Sequence, residues 1–268
     1  MLQHQPNLRR AYMRLQLLAA DQPTATRQRP AYAARIAHAP ADVAAAQALR
    51  FAVFNLELDE GLPDSYGTGL DADPFDAVCD HLIVEDTHTA TVVGTYRMQT
   101  GARAGSALGY YSEQEFDFSP FEHSRAQILE LGRACVHRQH RNFAVLNLLW
   151  KGIATYAQER GARYLMGCSS LTSQDCALGT AVYRRLLPNR APPDWQTRPQ
   201  ARWACPIEEG YLARPEIPRL LSAYLALGAA ICGPPAIDRS FGTIDFLTWL
   251  DIDSPTMRAM RRRGRFLA

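Results

Sequence analysis

The stretch Gln127–His137, QILELGRACVH, decides how this chain folds. Its apolar run and flanking polar residues read as a central strand. Strict alternation directs Glu130, Gly132 and Ala134 to one face and Leu131, Arg133 and Cys135 to the other. Two charges three positions apart then point oppositely, and in a central strand one of them would be buried at high cost. A β-bulge near Gly132 removes the conflict. The extra residue re-aims the side chains, splays the neighbouring strand and frees a backbone N–H that can polarise a carbonyl oxygen. On that reading Glu130 and Arg133 reach one cleft. A buried salt bridge, between the two or with other partners, accounts equally for the same charges.

Downstream, RQHRNFAVLNLL (138–149) is a strand-to-helix junction. Asn142 caps a helix running to Arg160, with Val145, Leu148, Leu149, Ile153 and Tyr156 as its apolar stripe; Gly161 stops it. Tyr164–Cys168 is a short buried strand. Upstream, Ala33–Ala37 suits a first strand, and Pro40 opens a helix from Ala41 to about Asn55. Residues 56–80 form a long acidic loop ending in GLDADPFDAVCD. A loop of that length is uncommon in a compact domain and often functional, although its aspartates also suit a solvated or Asx-turn loop. His81–Glu85 and Val92–Gln99 form a hairpin, followed by a loop carrying Tyr110, Tyr111, Phe116, Phe118 and Phe121. A further helix is expected over Pro215–Leu227 and a last strand over Thr243–Leu250. The order β-α-β-β-β-α-β argues for one α/β domain over residues 31–255 with a mixed sheet. A loosely structured leader (1–30) precedes it, a C-terminal extension starts near 188, and a basic tail (256–268) closes the chain.

A net charge of +2 gives no global signal for nucleic-acid binding. Lys151 is the only lysine, so the positive charge is almost all arginine, suited to bidentate contacts with carboxylate or phosphate. Six cysteines at 79, 135, 168, 176, 205 and 232 include no C-x-x-C pair and no zinc spacing. They read as small buried residues of a reducing compartment. Cys168, in MGCSSLTS, has no basic neighbour in sequence and reads as structural rather than nucleophilic. Leu15–Ala20 is too short for a signal peptide, and no stretch approaches the roughly 20 apolar residues of a membrane span. A cytoplasmic protein is expected. The tail MRAMRRRGRF would either touch anionic lipid at the inner membrane face or be a plain basic end.

The order ELGRACVH, turn, RNFAVLNLLWKG resembles the cofactor-binding core of GNAT N-acyltransferases. In that superfamily the turn carries Q/R-x-x-G-x-G/A for coenzyme A pyrophosphate. Here Arg141, Asn142, Phe143 and Ala144 replace the glycines, and backbone approaches a pyrophosphate less easily without them. A single phosphate on a phosphopantetheine arm demands less. Further motifs, LRFAVF with Arg50 and Phe54, GLDADPFDAVCDHLIV, VVGTYRM with Arg97, and ELGRACV, follow in an order shared by two families. These are the acyl-homoserine-lactone synthases and the L-ornithine N-alpha-acyltransferases that form ornithine lipids. YYSEQEFDFS and the late AIDRSFGTIDF make the chain more similar to the second.

That resemblance implies a GNAT-like mixed, mostly antiparallel sheet flanked by helices. It implies transfer of a 3-hydroxyacyl group from acyl carrier protein to the α-amine of ornithine, with no metal and no dissociable cofactor. Glu130 would be the base or position a water, with Arg133 and Arg97 fixing active-site or substrate carboxylates. Asp71, Asp73 and Asp76, with Arg50, would order the acidic loop and face the substrate's ammonium groups. Arg138, Arg141 and Asn142 would meet the phosphopantetheine phosphate or the acidic carrier, with His137 and His140 flanking the turn. Aromatics 110–121 line an acyl channel or pack the core. The rival readings are the same chemistry on glycine or serine, homoserine-lactone synthesis from S-adenosylmethionine, and a non-catalytic acyl- or membrane-binding module.

Overall fold

A computed structural model describes residues 31–262. The expected leader lies outside them, as does the end of the basic tail. One sheet organises the described residues, in the order β1-β2-β3-β4-β5-β8-β6, with β7 also paired to β8. Its strands are β1 (Tyr32–Ile36), β2 (Asp80–Asp86), β3 (Thr91–Thr100), β4 (Ile128–Val136), β5 (Tyr164–Leu171), β6 (Ala230–Ile231), β7 (Ala236–Asp238) and β8 (Thr243–Asp251). Among the described strands only β4 and β5 pair in parallel; the other strand pairings are antiparallel. The sheet is therefore mixed and mostly antiparallel, as anticipated.

Alternation assigns the two faces of the hairpin. Leu82, Val84, Tyr96 and Met98 join one core cluster with Val145, Leu149 and Ile153. Those last three lie on α2 (Phe143–Glu159), whose N-cap Asn142 accepts a hydrogen bond from the Val145 N–H at 3.1 Å. His81 and Arg97 are paired neighbours on the opposite face and both reach Asp76. That face is covered by α1 (Pro40–Phe51), which continues as a π-helical turn over Ala52–Glu57, and by the acidic loop. The loop is less irregular than expected, holding a helical turn at Ser65–Thr68 and a 3-10 turn at Pro74–Ala77.

The bulge is present. Thr95 pairs with Cys135 and Arg97 with Gly132, so Arg133 and Ala134 together oppose Tyr96. The strained residue is the arginine: Arg133 has φ 48°, in the region that favours glycine. The parallel pairing stops just before the bulge, its last partners being Glu130 and Met166. The two strands open into a cleft there, but their backbones still touch once. A Cβ placed on Gly167 would lie 2.1 Å from the Leu131 carbonyl oxygen.

The C-terminal extension is more regular than expected. α3 (Cys176–Leu186) was not anticipated, because Gly179 and Thr180 dilute its apolar stripe. Gly179 is there for packing: a Cβ would meet Ile244 at 2.9 Å. α4 spans Arg219–Ala226, shorter than the Pro215–Leu227 reading, since Pro215 and Pro218 delay its start. The basic tail begins as α5 (Pro255–Arg262), where Met257 is buried in the main core and Arg258 is exposed. Among the described residues no helix is long and apolar enough to cross a membrane.

Gly167→Ala should lower stability by ~1–3 kcal/mol through forced separation of β4 and β5. Gly105→Ala, with nothing within 4 Å of the added atom, should be neutral or slightly stabilising. Urea denaturation of the two variants checks this, and equal stabilities would contradict the contact.

Candidate active site

Glu130 and Arg133 do not pair with each other. The Glu130 carboxylate, 6% exposed, accepts the Tyr111 and Ser112 N–H groups, each at 2.8 Å, and the Ser112 hydroxyl. Burial raises its pKa, while the Ser112 and Tyr111 donors pull it back. The result is a carboxylate more basic than usual, with three donors partly offsetting the effect of burial.

Arg133 turns to the acidic loop instead. Its guanidinium reaches Asp73 at 2.9 Å and Asp71 at 3.3 Å, with its centre 4.8 Å from the Tyr111 ring and 4.5 Å from the Phe241 ring. Arg97 bonds Asp73 at 2.6 Å and Asp76 at 3.0 Å. Arg50, fully buried on α1, bonds Asp71 at 2.8 Å, Asp76 at 2.7 Å and the Asp71 carbonyl. Three arginines thus face three aspartates in a charge-balanced network, in which Asp71 Oδ2 and Arg133 Nε make no hydrogen bond. Burial alone would raise Asp73 and Asp76. Arg97 and Arg133 hold Asp73 below the usual carboxylate range, and Arg50 and Arg97 do the same for Asp76. These expected substrate-binding residues are brought together, engaged mainly with one another.

One cavity of about 860 Å³ receives the site. Glu130, Gly132, Arg133 and Gln99 line it at the bulge, and both Gln99 amide atoms are buried without a hydrogen-bond partner. Leu146, Leu149, Trp150, Leu221, Tyr224 and Leu250 form an apolar wall. Arg141, Asn142 and Phe143 stand at the α2 N-terminus, where Phe143 is 68% exposed. Arg141 pairs with Glu57 at 2.6 Å, Asn142 is committed to its cap and Arg138 is exposed. His140 bonds the Tyr32 hydroxyl, and the His137 ring accepts the Gln139 N–H at 3.4 Å. Of the aromatics in 110–121, Tyr110, Phe116, Phe118 and Phe121 pack a core cluster with Trp195; Tyr111 lines the cavity.

A second acidic group went unassigned in the sequence. Glu115, Asp238 and Asp245 are all buried, each with a carboxylate oxygen within 4.8 Å of the others. Asp238 and Asp245 line the cavity. Burial, then repulsion from Asp245 and Asp238, pushes Glu115 far up; burial and Asp238 push Asp245 up to about 6. Cys168 approaches Glu115 at 3.7 Å, and burial raises its thiol pKa well above normal, which fits an unreactive cysteine. The signal that could have found this group was present: Glu115 lies in YYSEQEFDFS, and Asp238 and Asp245 lie in AIDRSFGTIDF.

Two predictions follow from these charge balances. Arg50→Ala should cost ~3–5 kcal/mol by stranding Asp71 and Asp76, while Arg141→Ala on the exposed Glu57 pair should cost under ~1 kcal/mol. Chemical denaturation compares them. Asp245 has a folded value raised above its ordinary 3.8. Its ionisation therefore weakens the substrate-free fold as pH rises from about 4 to 6, with no penalty below that window. Asp245→Asn should raise the melting temperature at pH 7 and leave it unchanged at pH 4; a uniform shift at both would contradict the assignment.

An acetyltransferase (GNAT) domain model matches residues 49–151. An L-ornithine N(alpha)-acyltransferase from Brucella abortus (strain 2308) is 35% identical over 246 residues, covering 86% of this chain and 88% of that one. A protein of the same name from Rhodobacter capsulatus is 31% identical, covering 82% of this chain and 90% of that one. Among solved structures, the N-acyl amino acid synthase FeeM from uncultured soil microbes shares the fold. Its TM-score is 0.51 at 14% identity, covering 87% of this chain and 99% of that one. The extent of these matches and a bulged strand opening beside a buried carboxylate agree: the chain belongs to the L-ornithine N(alpha)-acyltransferase family and is an acyltransferase on the GNAT fold.

Proposed function

We propose that this enzyme transfers a 3-hydroxyacyl group from the phosphopantetheine arm of an acyl carrier protein to the α-amine of L-ornithine, giving a lyso-ornithine lipid. The observation that carries this reading is the continuous cavity. It joins the α2 N-terminus, the β4 bulge, Glu130 and an apolar wall in one space of about 860 Å³, a size typical of ligand sites. The names of the relatives support ornithine as acceptor.

The chemistry is direct. The neutral α-amine attacks the thioester carbonyl, the N–C bond forms and the C–S bond breaks. Glu130 takes the amine proton, and the departing thiolate recovers a proton as the carrier thiol. An α-amine has a pKa of about 7.7–8.0 against about 10.4 for a lysine-like amine, so near neutral pH the α-nitrogen is the available nucleophile. Backbone N–H groups at Arg133 and Ala134 would meet the developing oxyanion. Exposed Arg138, with Arg141 beside it, suits the phosphate or the acidic carrier surface. The donor brings its own prosthetic arm, so no dissociable cofactor or metal enters the scheme. A cytoplasmic enzyme touching the inner membrane face through its basic C-terminal end fits a lipid product.

Purified protein given 3-hydroxyacyl carrier protein and a panel of amines should release carrier thiol with ornithine. Release with glycine, serine or S-adenosylmethionine but not ornithine would sink the assignment. Glu130→Gln should lower kcat by about 10²–10⁴-fold with carrier binding retained. Ser112→Ala, which removes a donor but keeps the carboxylate, should lose much less. Equal losses in the two variants would show that Glu130 acts only by holding the Tyr111–Ser112 segment.

A further inference from the structure

We infer that Glu115, Asp238 and Asp245 form the subsite for the side-chain ammonium of the acceptor, and that this subsite selects a diamino acid over neutral ones. The inference rests on the reading of ornithine as acceptor and assigns it residues other than the Asp71–Asp76 loop. That loop's carboxylates already face Arg50, Arg97 and Arg133. Among the described residues no arginine forms an ion pair with Glu115, Asp238 or Asp245; Arg133, paired with Asp71 and Asp73, acts on Glu115 only through its longer-range field.

A second observation, independent of clustering, points to a missing partner. The Glu115 Oε1 and Asp245 Oδ1 atoms are buried with no hydrogen-bond partner, on side chains from residues only 1% and 4% exposed. Buried carboxylate oxygens are almost always paired, because an unmade bond to a charged group is costly. The other neighbours satisfy only part of the group. Asp238 Oδ1 caps the Ser240 and Phe241 N–H groups and its Oδ2 accepts the Tyr111 hydroxyl at 3.4 Å. Asp245 accepts the Thr243 hydroxyl at 3.2 Å and also meets Ser170 and the Glu115 carboxyl, whose Oε2 faces the Cys168 thiol at 3.7 Å. An ammonium presents three N–H donors. Two acceptors at ordinary distance from one tetrahedral nitrogen stand about 4.6 Å apart. The three carboxylates lie within 4.8 Å of one another, so one nitrogen can bridge them.

The position also suits a short diamino acid. Tyr111 links the two acidic centres: its backbone N–H holds Glu130 and its hydroxyl reaches Asp238. An acceptor lying along that residue has its α-amine at Glu130 and its side-chain end at the carboxylates. A neutral side chain placed there would leave the carboxylates uncompensated. Holding the distal nitrogen as an ammonium also keeps it from acting as a second nucleophile.

The test compares ornithine with norvaline, which has the same carbon skeleton without the distal amine, using thiol release from acyl carrier protein. Wild-type enzyme should prefer ornithine by at least about 100-fold in kcat/KM, as sites built around a polar partner do. Asp245→Asn and Glu115→Gln should each reduce that preference at least about tenfold, chiefly through KM for ornithine. Equal use of norvaline and ornithine by the wild-type enzyme would overturn the subsite while leaving acyl transfer intact, and needs no variant to fold. Undiminished preference in two folded variants would overturn it as well. Failure to use ornithine at all would overturn the functional reading and the subsite with it. Loss of turnover on EDTA treatment, restored by calcium or magnesium, would assign the carboxylates to a metal instead.

Discussion

Arg133 occupies a backbone conformation that its side chain disfavours, and the site depends on what holds it there. Its φ of 48° belongs to the two-against-one bulge opposite Tyr96. Asp71 and Asp73 anchor its guanidinium from one side, and the Tyr111 and Phe241 rings flank it. Backbone strain of this kind persists where the surroundings over-determine it. The consequence is geometric. β4 leaves β5 after Glu130, the cavity opens between them, and Glu130 and Arg133 both line it.

The acidic residues divide by compensation. Asp71, Asp73 and Asp76 are matched charge for charge by Arg50, Arg97 and Arg133. Such a buried network stiffens the loop against α1 and β3, because losing any member strands the others. Glu115, Asp238 and Asp245 lack that matching, and burial drives Glu115 and Asp245 upward. A fold tolerates an uncompensated group when a ligand supplies the balance. The arginine-paired carboxylates and those inferred to bind the acceptor thus differ in their partners, although all are buried acids in one protein.

Much of the architecture was legible in the chain. The hairpin, α1 and α2 follow from periodicity and from caps such as Pro40 and Asn142, which act locally. The bulge was legible because Glu130 and Arg133 conflict with alternation within one strand. α3 escaped because Gly179 and Thr180 are placed for contact with distant Ile244 and Glu208, not for helix propensity. The short strands β6 and β7 exist only because β8 pairs with them. Tyr110, Phe116, Phe118 and Phe121 could be read as channel or core, since an aromatic residue suits both and only packing distinguishes them.

By itself the sequence determined the order of the main elements along the chain, the strand-to-helix junction, the conflict at Glu130 and Arg133 that a bulge resolves, and the family resemblance. Each of these rests on residues near one another in the chain. Only the tertiary structure decided which charges meet. Arg133 had three aspartates and a neighbouring glutamate as possible partners, and it took Asp71 and Asp73, some sixty positions away. Glu115 meets Asp238 and Asp245 because β8 lies beside β5 and Tyr111 spans the gap to Glu130. Coulombic and hydrogen-bond energies depend on distance in space, which spacing along a chain does not encode once the chain folds back on itself.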